Sequence, residues 1–250
     1  MSQWFRTQSP AMKEEFFTQA TPMAGTGEMS LNGTIAKSGL LLAITMAMAV
    51  VGYVAQQPLI GIGCFFIALI IGIAGVFKRE WAMPISLVYA PLMGFALGTI
   101  SMFYAMEFAD TQYKGIVPMA VAATFVVFGT MLTLYATRVI RVTETFRTVV
   151  MGATLAIGIF YLGTFAISFF NPGIYNALPV FGSGLIGIGF SVFVIILAAM
   201  NLATDFDLIE RGVQARAPKY MEWYGAFALL ITLVWLYIEI LRLISKLARR

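Results

Sequence analysis

Residues Gly184–Ala203 read Gly-Leu-Ile-Gly-Ile-Gly-Phe-Ser-Val-Phe-Val-Ile-Ile-Leu-Ala-Ala-Met-Asn-Leu-Ala and carry no charge. A helix needs about 20 predominantly apolar residues to cross a hydrocarbon core of about 30 Å, and this run has that length. The run therefore predicts a membrane-spanning helix, which decides the fold class. It continues directly into Thr204-Asp-Phe-Asp-Leu-Ile-Glu210, where three acids follow within six residues.

The rest of the chain repeats this pattern. Hydrophobic residues make up 60% of the chain and charged residues only 11%, whereas a soluble domain has roughly 25% charged residues. The connections between apolar runs are short, so consecutive helices should be antiparallel neighbours. The sequence predicts an all-α integral membrane protein with one seven-helix domain over residues 33–250, after a polar tail over residues 1–32. The predicted spans are approximately Ile35–Val54, Pro58–Phe77, Trp81–Met106, Gly115–Ala136, Thr148–Phe170, Val180–Ala203 and Tyr224–Ile244.

The distribution of basic residues predicts the orientation of these helices. Cytoplasmic loops of membrane proteins carry an excess of lysine and arginine. If the N-terminus lies in the cytoplasm, Lys114 is the single basic residue in the loops on the opposite side. The cytoplasmic regions then contain Arg6, Lys13, Lys37, Lys78, Arg79, Arg138, Arg141, Arg147, Arg211, Arg216 and Lys219. We therefore expect a cytoplasmic N-terminus.

The C-terminus conflicts with that rule. Arg242, Lys246, Arg249 and Arg250 would lie on the opposite side if the seventh segment crosses the membrane. The segment either crosses against the charge bias or is re-entrant. Crossing is favoured, because the segment is long enough and later helices follow the topology set by earlier ones.

Several classes of site are excluded by composition. Cys64 is the single cysteine, so neither an intrachain disulfide nor a thiolate metal site can form. Histidine is absent, which excludes histidine triads, histidine metal sites and histidine pH switches. The net charge of +4 comes from basic residues in short loops, where they orient helices, so nucleic-acid binding is not expected.

The third segment contains a pattern with two readings. Gly94-Phe-Ala-Leu-Gly98 places two small residues at a spacing that lets helices approach closely. The pattern could form a dimer face between two copies. Packing inside a single seven-helix bundle is the favoured alternative.

The acids after Ala203 point in different directions. Residues on a helix advance by about 100° each, so Asp205 and Asp207 point about 200° apart. Asp205 aligns with Asn201 and is assigned to the bundle interior. Asp207 aligns with Glu210 and Arg211, a natural surface pairing, and is assigned to the loop side. Alternatively, both aspartates merely mark the cytoplasmic end of the sixth helix.

Glu239 lies inside the apolar run Leu229–Ile244. Acids at such depth are costly and usually face a bundle interior or a water path. The simpler reading is that Glu239 pairs with Arg242 at i+3 near the membrane interface.

Two carboxylates that share a low-dielectric site cannot both ionise readily, and carboxylate oxygens are ligands that Ca²⁺ prefers. A pH-gated cation path therefore follows as a hypothesis, with Asp205 and Glu239 as the acidic pair and candidate Ca²⁺ ligands, and Asp207 as a further candidate. No cofactor is expected beyond Ca²⁺ as a transported ion.

Glu239 lies 15 residues beyond Tyr224, or about 22 Å along a helix. One helix must therefore extend past the membrane or be displaced if the two acids are to meet.

Three stretches carry a resemblance to a known family. They are Arg138-Val-Ile-Arg-Val-Thr-Glu-Thr-Phe-Arg147, Asn201-Leu-Ala-Thr-Asp-Phe-Asp-Leu-Ile-Glu-Arg-Gly212, and Ala217-Pro-Lys-Tyr-Met-Glu-Trp-Tyr224 leading into Leu236-Tyr-Ile-Glu-Ile-Leu-Arg-Leu243. The chain resembles the Bax inhibitor-1 (transmembrane Bax inhibitor motif) family, in its bacterial YccA-like branch. The resemblance covers nearly all of Ile35–Lys246.

The resemblance implies six helices in two layers around a central last helix, and a pH-sensitive Ca²⁺ leak controlled by an acidic pair. Asp205 matches the aspartate of the family's Asp-x-x-x-Ile pattern, although Phe206-Asp207 could match the aromatic-Asp pair that opens it. Glu239 matches the aspartate of the Leu-Tyr-x-Asp-Ile pattern. This chain departs from the family in having glutamate there, in having Met93 where an acid is expected, and in its spacing of 34 residues between Asp205 and Glu239.

Three functions are compatible with these features. The first is a leak channel or transporter of the bacterial inner membrane for Ca²⁺ or protons. The second is a regulator of a membrane protease or of stress machinery that acts by protein contact. The third is an intramembrane protease, which is disfavoured because the motifs around Asp205 and Glu239 do not resemble such enzymes. We therefore expect no enzymatic activity.

Overall fold

The computed structural model describes residues 27–171 and 173–250, called the described residues below. Within them, seven long helices are apolar enough to cross a membrane, which confirms the predicted fold class. The helices are α1 (Leu31–Ala55), α2 (Pro58–Phe77), α3 (Ala82–Glu107), α4 (Ile116–Ala136), α5 (Glu144–Ser168), α6 (Leu185–Gln214) and α7 (Met221–Ala248).

The sixth helix differs most from its predicted bounds. Residues Pro179–Phe181 form a separate 3₁₀ turn, and the extended Gly184 precedes α6, so the helix begins later than Val180. It then continues 11 residues beyond Ala203, through all three acids. These acids find partners on neighbouring helices and on α6 itself, so the polar sequence does not end the helix.

The polar tail predicted over residues 1–32 lies mostly outside the described residues. Its last part, Gly27–Ser30, runs beside the connection between α6 and α7, where the Met29 amide donates to the Ala217 carbonyl at 2.7 Å. The Ser30 hydroxyl accepts from the Gly33 amide at 3.0 Å and caps the N-terminus of α1. The helix α1 therefore begins at Leu31, two residues before the predicted start of the domain at residue 33.

The helices form two layers around α7. One layer contains α1, α2 and α3, because α1 and α2 both pack on α3. The other contains α4, α5 and α6, because α4 and α5 both pack on α6. The C-terminal helix packs on α1, α3, α4 and α6 and is central, as the family resemblance implies.

Glycines bring α1 and α3 into close contact. A Cβ atom at Gly94 would lie 2.4 Å from the Thr45 carbonyl oxygen, and one at Gly52 would lie 2.2 Å from the Phe95 carbonyl oxygen. The Gly94–Gly98 pattern therefore packs inside the bundle, as the favoured reading predicts.

The ends of α7 lie at opposite ends of the bundle. Its start adjoins the start of α1 through the Lys37–Glu222 ion pair. Its last turn adjoins the end of α3, where Arg249 pairs with Glu107 at 2.8 Å. The seventh segment thus runs the length of the bundle, as the favoured reading predicts. Arg242, Lys246 and Arg249, which run against the charge rule, are each engaged by protein atoms.

Candidate functional site

Polar side chains lie along the contact between α5, α6 and α7, called here the α5–α6–α7 interface. At its first end, Asp207 accepts a hydrogen bond from Arg147 of α5, and it pairs with Arg211 at 3.1 Å. Arg147 also bonds Glu144 at 2.8 Å. The Thr143 hydroxyl caps α5 by accepting from the Phe146 amide, which places Arg147 in the first helical turns.

The position of Asp207 corrects the sequence prediction. Asp207 was assigned to the loop side, but it is buried, at 9% exposure, and so is Arg147. Its pairing with Arg211 at i+4 was foreseen, whereas the partner from α5 was not. The Asp207 carboxylate can be buried here because the Arg147 guanidinium, which it contacts directly, neutralises its charge.

Asp205 lies on the face of α6 that meets α7, as predicted. The Thr232 hydroxyl donates to its Oδ2 at 2.6 Å. Asp205 is half-buried and forms no ion pair with any of the described residues. One turn earlier, Asn201 donates to the Thr154 hydroxyl of α5 at 2.8 Å. Asp205 is therefore the acid of this interface without a cationic partner.

Glu239 is 1% exposed and lies in a three-residue cluster. Its Oε1 accepts from the Tyr161 hydroxyl at 3.0 Å and from Arg242 at 2.8 Å, and Arg242 also donates to the Tyr161 oxygen at 2.8 Å. The pairing with Arg242 at i+3 confirms the simpler reading, although the pair is buried. Among the described residues, Glu239 Oε2 has no hydrogen-bond partner.

Lys246 completes the interface at its other end. Its ammonium donates to the carbonyl oxygens of Val180 and Gly187, at 2.7 and 2.9 Å, and to the Ser191 hydroxyl at 2.9 Å. Sequence reasoning missed this residue, because it was counted with the C-terminal charges. Its position seven residues after Glu239, on the same helical face, was a usable signal.

The structure does not bring Asp205 and Glu239 together. Asp205 contacts Thr232, which precedes Glu239 by seven residues, or about 10 Å along α7. The nine residues of α6 that follow Asp205 bring this acid level only with the middle of α7, which is not far enough along the bundle for it to reach Glu239. The predicted dyad is therefore not assembled in this conformation. Within residues 27–171 and 173–250, no cluster of three or more acids or cysteines could hold a metal.

The charges along the interface are unevenly distributed. Glu144 and Asp207 balance Arg147 and Arg211 at one end. At the other end, Glu239 faces two cations, Arg242 and Lys246, so positive charge is in excess. Asp205 lies between these groups and contributes the negative charge in the middle of the interface.

Comparisons with known proteins gave one match. The sequence profile of a family described as "Bax inhibitor 1 like" matches residues 9–249. Neither the curated proteins nor the solved structures contain a significant match to this chain.

Proposed function

Because this chain belongs to the Bax inhibitor 1 like family, we propose that it is a pH-sensitive, non-enzymatic cation leak channel or transporter, with Ca²⁺ as the ion. The proposed route is the α5–α6–α7 interface. From the resemblance to the bacterial branch of the family we place the protein in a bacterial inner membrane, and from the distribution of basic residues we place its N-terminus in the cytoplasm.

The observation that carries this proposal is the recurrence of polar contacts along the interface, on both sides of the apolar side chains between α5 and α6. These polar contacts extend along α6 from Asp207 to Ser191, which are 16 residues or about 24 Å apart on a helix. That distance approaches the thickness of the hydrocarbon core, about 30 Å. Ionisable groups inside a membrane bundle typically mark ion or proton pathways.

The two candidate acids act in series in this proposal, rather than as a dyad. Asp205 has a hydroxyl partner alone, so its carboxylate oxygens can bind a passing Ca²⁺ ion. Glu239 is engaged by Arg242, and a cation gains access to it when that pair separates. Protonation of Asp205 removes the negative charge that attracts cations, so flux is expected to rise with pH.

The conformation described above is the closed state of the proposed route. The buried side chains of Val150, Ile157, Val194 and Leu197 fill the space between α5 and α6. Among the long helices, α5 has its main contact with α6, and it is the least buried of the seven spans. Displacement of α5 is therefore the movement that would open the interface with the smallest loss of packing.

Replacement of Asp205 tests the proposed function. Asp205→Asn keeps the size of the side chain and its contact with Thr232 but removes the negative charge. In liposomes that contain an entrapped Ca²⁺ indicator, we expect flux to fall about tenfold, which corresponds to losing roughly 1.4 kcal/mol of cation stabilisation. The increase of flux with pH should be lost as well.

Asp110→Asn is the matched control, because Asp110 is exposed in the connection between α3 and α4. Its flux should equal that of the unmodified protein. Equal flux and equal pH dependence in Asp205→Asn would contradict the role of Asp205. Absence of Ca²⁺ flux in the unmodified protein across the pH range would contradict the leak itself and favour a regulator that acts by protein contact.

Arg242 should restrain the route. Arg242→Gln removes the cation beside Glu239 and the positive charge that repels ions, so we expect Ca²⁺ flux to increase several-fold. The control is Arg249→Gln, because Arg249 pairs with the half-exposed Glu107 at the same end of α7. Both variants should be checked for monodisperse elution, and a folded Arg242→Gln protein with unchanged or lower flux would contradict this restraint.

A further inference from the structure

Two cavities lie between α1 and α4. The larger, of about 720 Å³, is lined by α1, α4, α6 and α7. The smaller, of about 260 Å³, is lined by α1, α3, α4 and α7. Leu42, Leu230 and Leu233 line both cavities, so the two are adjacent, and together they are called here the α1–α4 groove. Its larger part lies within the range of small-molecule sites, roughly 300–1,000 Å³.

The groove is open to the side of the bundle. Its floor is α7, since α1 packs on α3 and α7 whereas α4 packs on α6 and α7. Ile35 and Val50 of α1 and Phe125 and Leu132 of α4 line it and are exposed. In a membrane, a lateral opening between spanning helices faces acyl chains rather than water. The groove therefore accepts an apolar chain.

One end of the groove is polar. Arg138, which follows the end of α4, donates to both carboxylate oxygens of Glu210, and the Tyr135 hydroxyl donates to the same carboxylate. A guanidinium has five N–H donors, and Glu210 takes two of them. The Arg138 side chain is 62% exposed, so the remaining donors are available to a ligand. Arginine donors of this kind suit phosphate oxygens.

These features determine the chemistry of the occupant. A long apolar channel that opens toward lipid, with free guanidinium donors at the level of the helix ends, matches one acyl chain and the phosphate of a membrane lipid. We propose that the α1–α4 groove binds one phospholipid molecule, with an acyl chain along Leu42, Leu230 and Leu233 and its phosphate at Arg138. This site differs from the proposed ion route, because its walls are α1 and α4, whereas the route lies between α5, α6 and α7.

The groove can be blocked at Gly39. Gly39 lines the larger cavity, and no described atom lies within 4 Å of a Cβ built at this position. Gly39→Phe would therefore add a bulky side chain whose first atom lies in open space at the wall of the groove. Gly152→Phe is the matched control, because Gly152 is exposed at a similar depth on α5 and its Cβ position is equally open among the described atoms.

The test uses the full chain, purified in detergent and titrated with phosphatidylglycerol, with bound lipid counted by native mass spectrometry. We expect one tightly bound lipid per chain in the unmodified protein and in Gly152→Phe. Gly39→Phe should bind about tenfold more weakly. Equal binding by Gly39→Phe and Gly152→Phe, or binding without a defined stoichiometry, would overturn the proposal.

A second variant tests the phosphate contact and does not depend on filling the groove. Arg138 has a positive φ of 60°, and asparagine tolerates this conformation better than most residues, so Arg138→Asn should preserve the local backbone. It should weaken phosphatidylglycerol binding about tenfold, as expected for loss of one charge-assisted contact, and leave diacylglycerol binding unchanged. An equal loss for both lipids, or for neither, would overturn the placement of the phosphate.

Discussion

Replacing Gly98 with leucine is expected to abolish the folded protein. A Cβ at this position would lie 2.0 Å from the Ala49 carbonyl oxygen and 2.7 Å from the Tyr53 amide nitrogen. Both are backbone atoms of α1 and cannot move aside as a side chain can. The larger side chain would have to separate α1 from α3, which is the most extensive helix contact in the bundle.

The measurement is the yield of monodisperse protein after extraction in a mild detergent, followed by thermal denaturation. Gly98→Leu should give aggregate or no protein. Gly63→Leu is the control, because no described atom lies within 4 Å of a Cβ at Gly63 of α2. Recovery of Gly98→Leu with the melting temperature of the unmodified protein would show that α1 and α3 are not held by this backbone contact.

The second large effect is expected at Glu222, whose carboxylate joins the start of α7 to the start of α1. Glu222 is fully buried and accepts hydrogen bonds from Lys37, from the Ser30 amide at 2.9 Å and from the Ser30 hydroxyl at 2.9 Å. Glu222→Ala leaves the Lys37 ammonium and the Ser30 amide without their acceptor. Breaking a buried ion pair in this way costs about 3 kcal/mol or more, which exceeds a hundredfold change in the folding equilibrium.

An unfolding titration in mixed micelles measures this cost. Glu80→Ala, which removes an exposed acid near the same end of the bundle, should change the free energy of unfolding by less than about 0.5 kcal/mol. Lys37→Met together with Glu222→Ala should cost less than the sum of the two single changes, because no charge is then left unpaired. Strict additivity of the two changes would contradict a direct pair.

The sequence predicted local features of the candidate site better than long-range ones. The Asp207–Arg211 and Glu239–Arg242 pairs were foreseen, because residues three or four apart on one helix are neighbours wherever the helix lies. The burial of Asp207 was not foreseen, because it depends on Arg147, which lies 60 residues earlier in the chain. Helical periodicity gives the direction of a side chain but not the helix that it meets.

The pairing of Asp205 with Glu239 failed for a related reason. Both acids were expected to face the interior, and both contact a neighbouring helix. Their spacing along the chain already indicated different levels in the bundle, but the size of that offset depends on how far α6 extends past its apolar run before the chain turns. The helix ends at Gln214 rather than near Ala203 because its acids are matched by cations and hydroxyl groups from other helices.

The sequence alone determined that seven apolar helices cross a membrane and which family the chain belongs to, because hydrophobic length and local motifs are properties of contiguous residues. Tertiary structure alone decided which polar groups meet across α5, α6 and α7, which backbone atoms of α1 lie against Gly98, and that a groove remains between α1 and α4. These features depend on the relative height and spacing of helices, which are set by packing between residues distant in the chain.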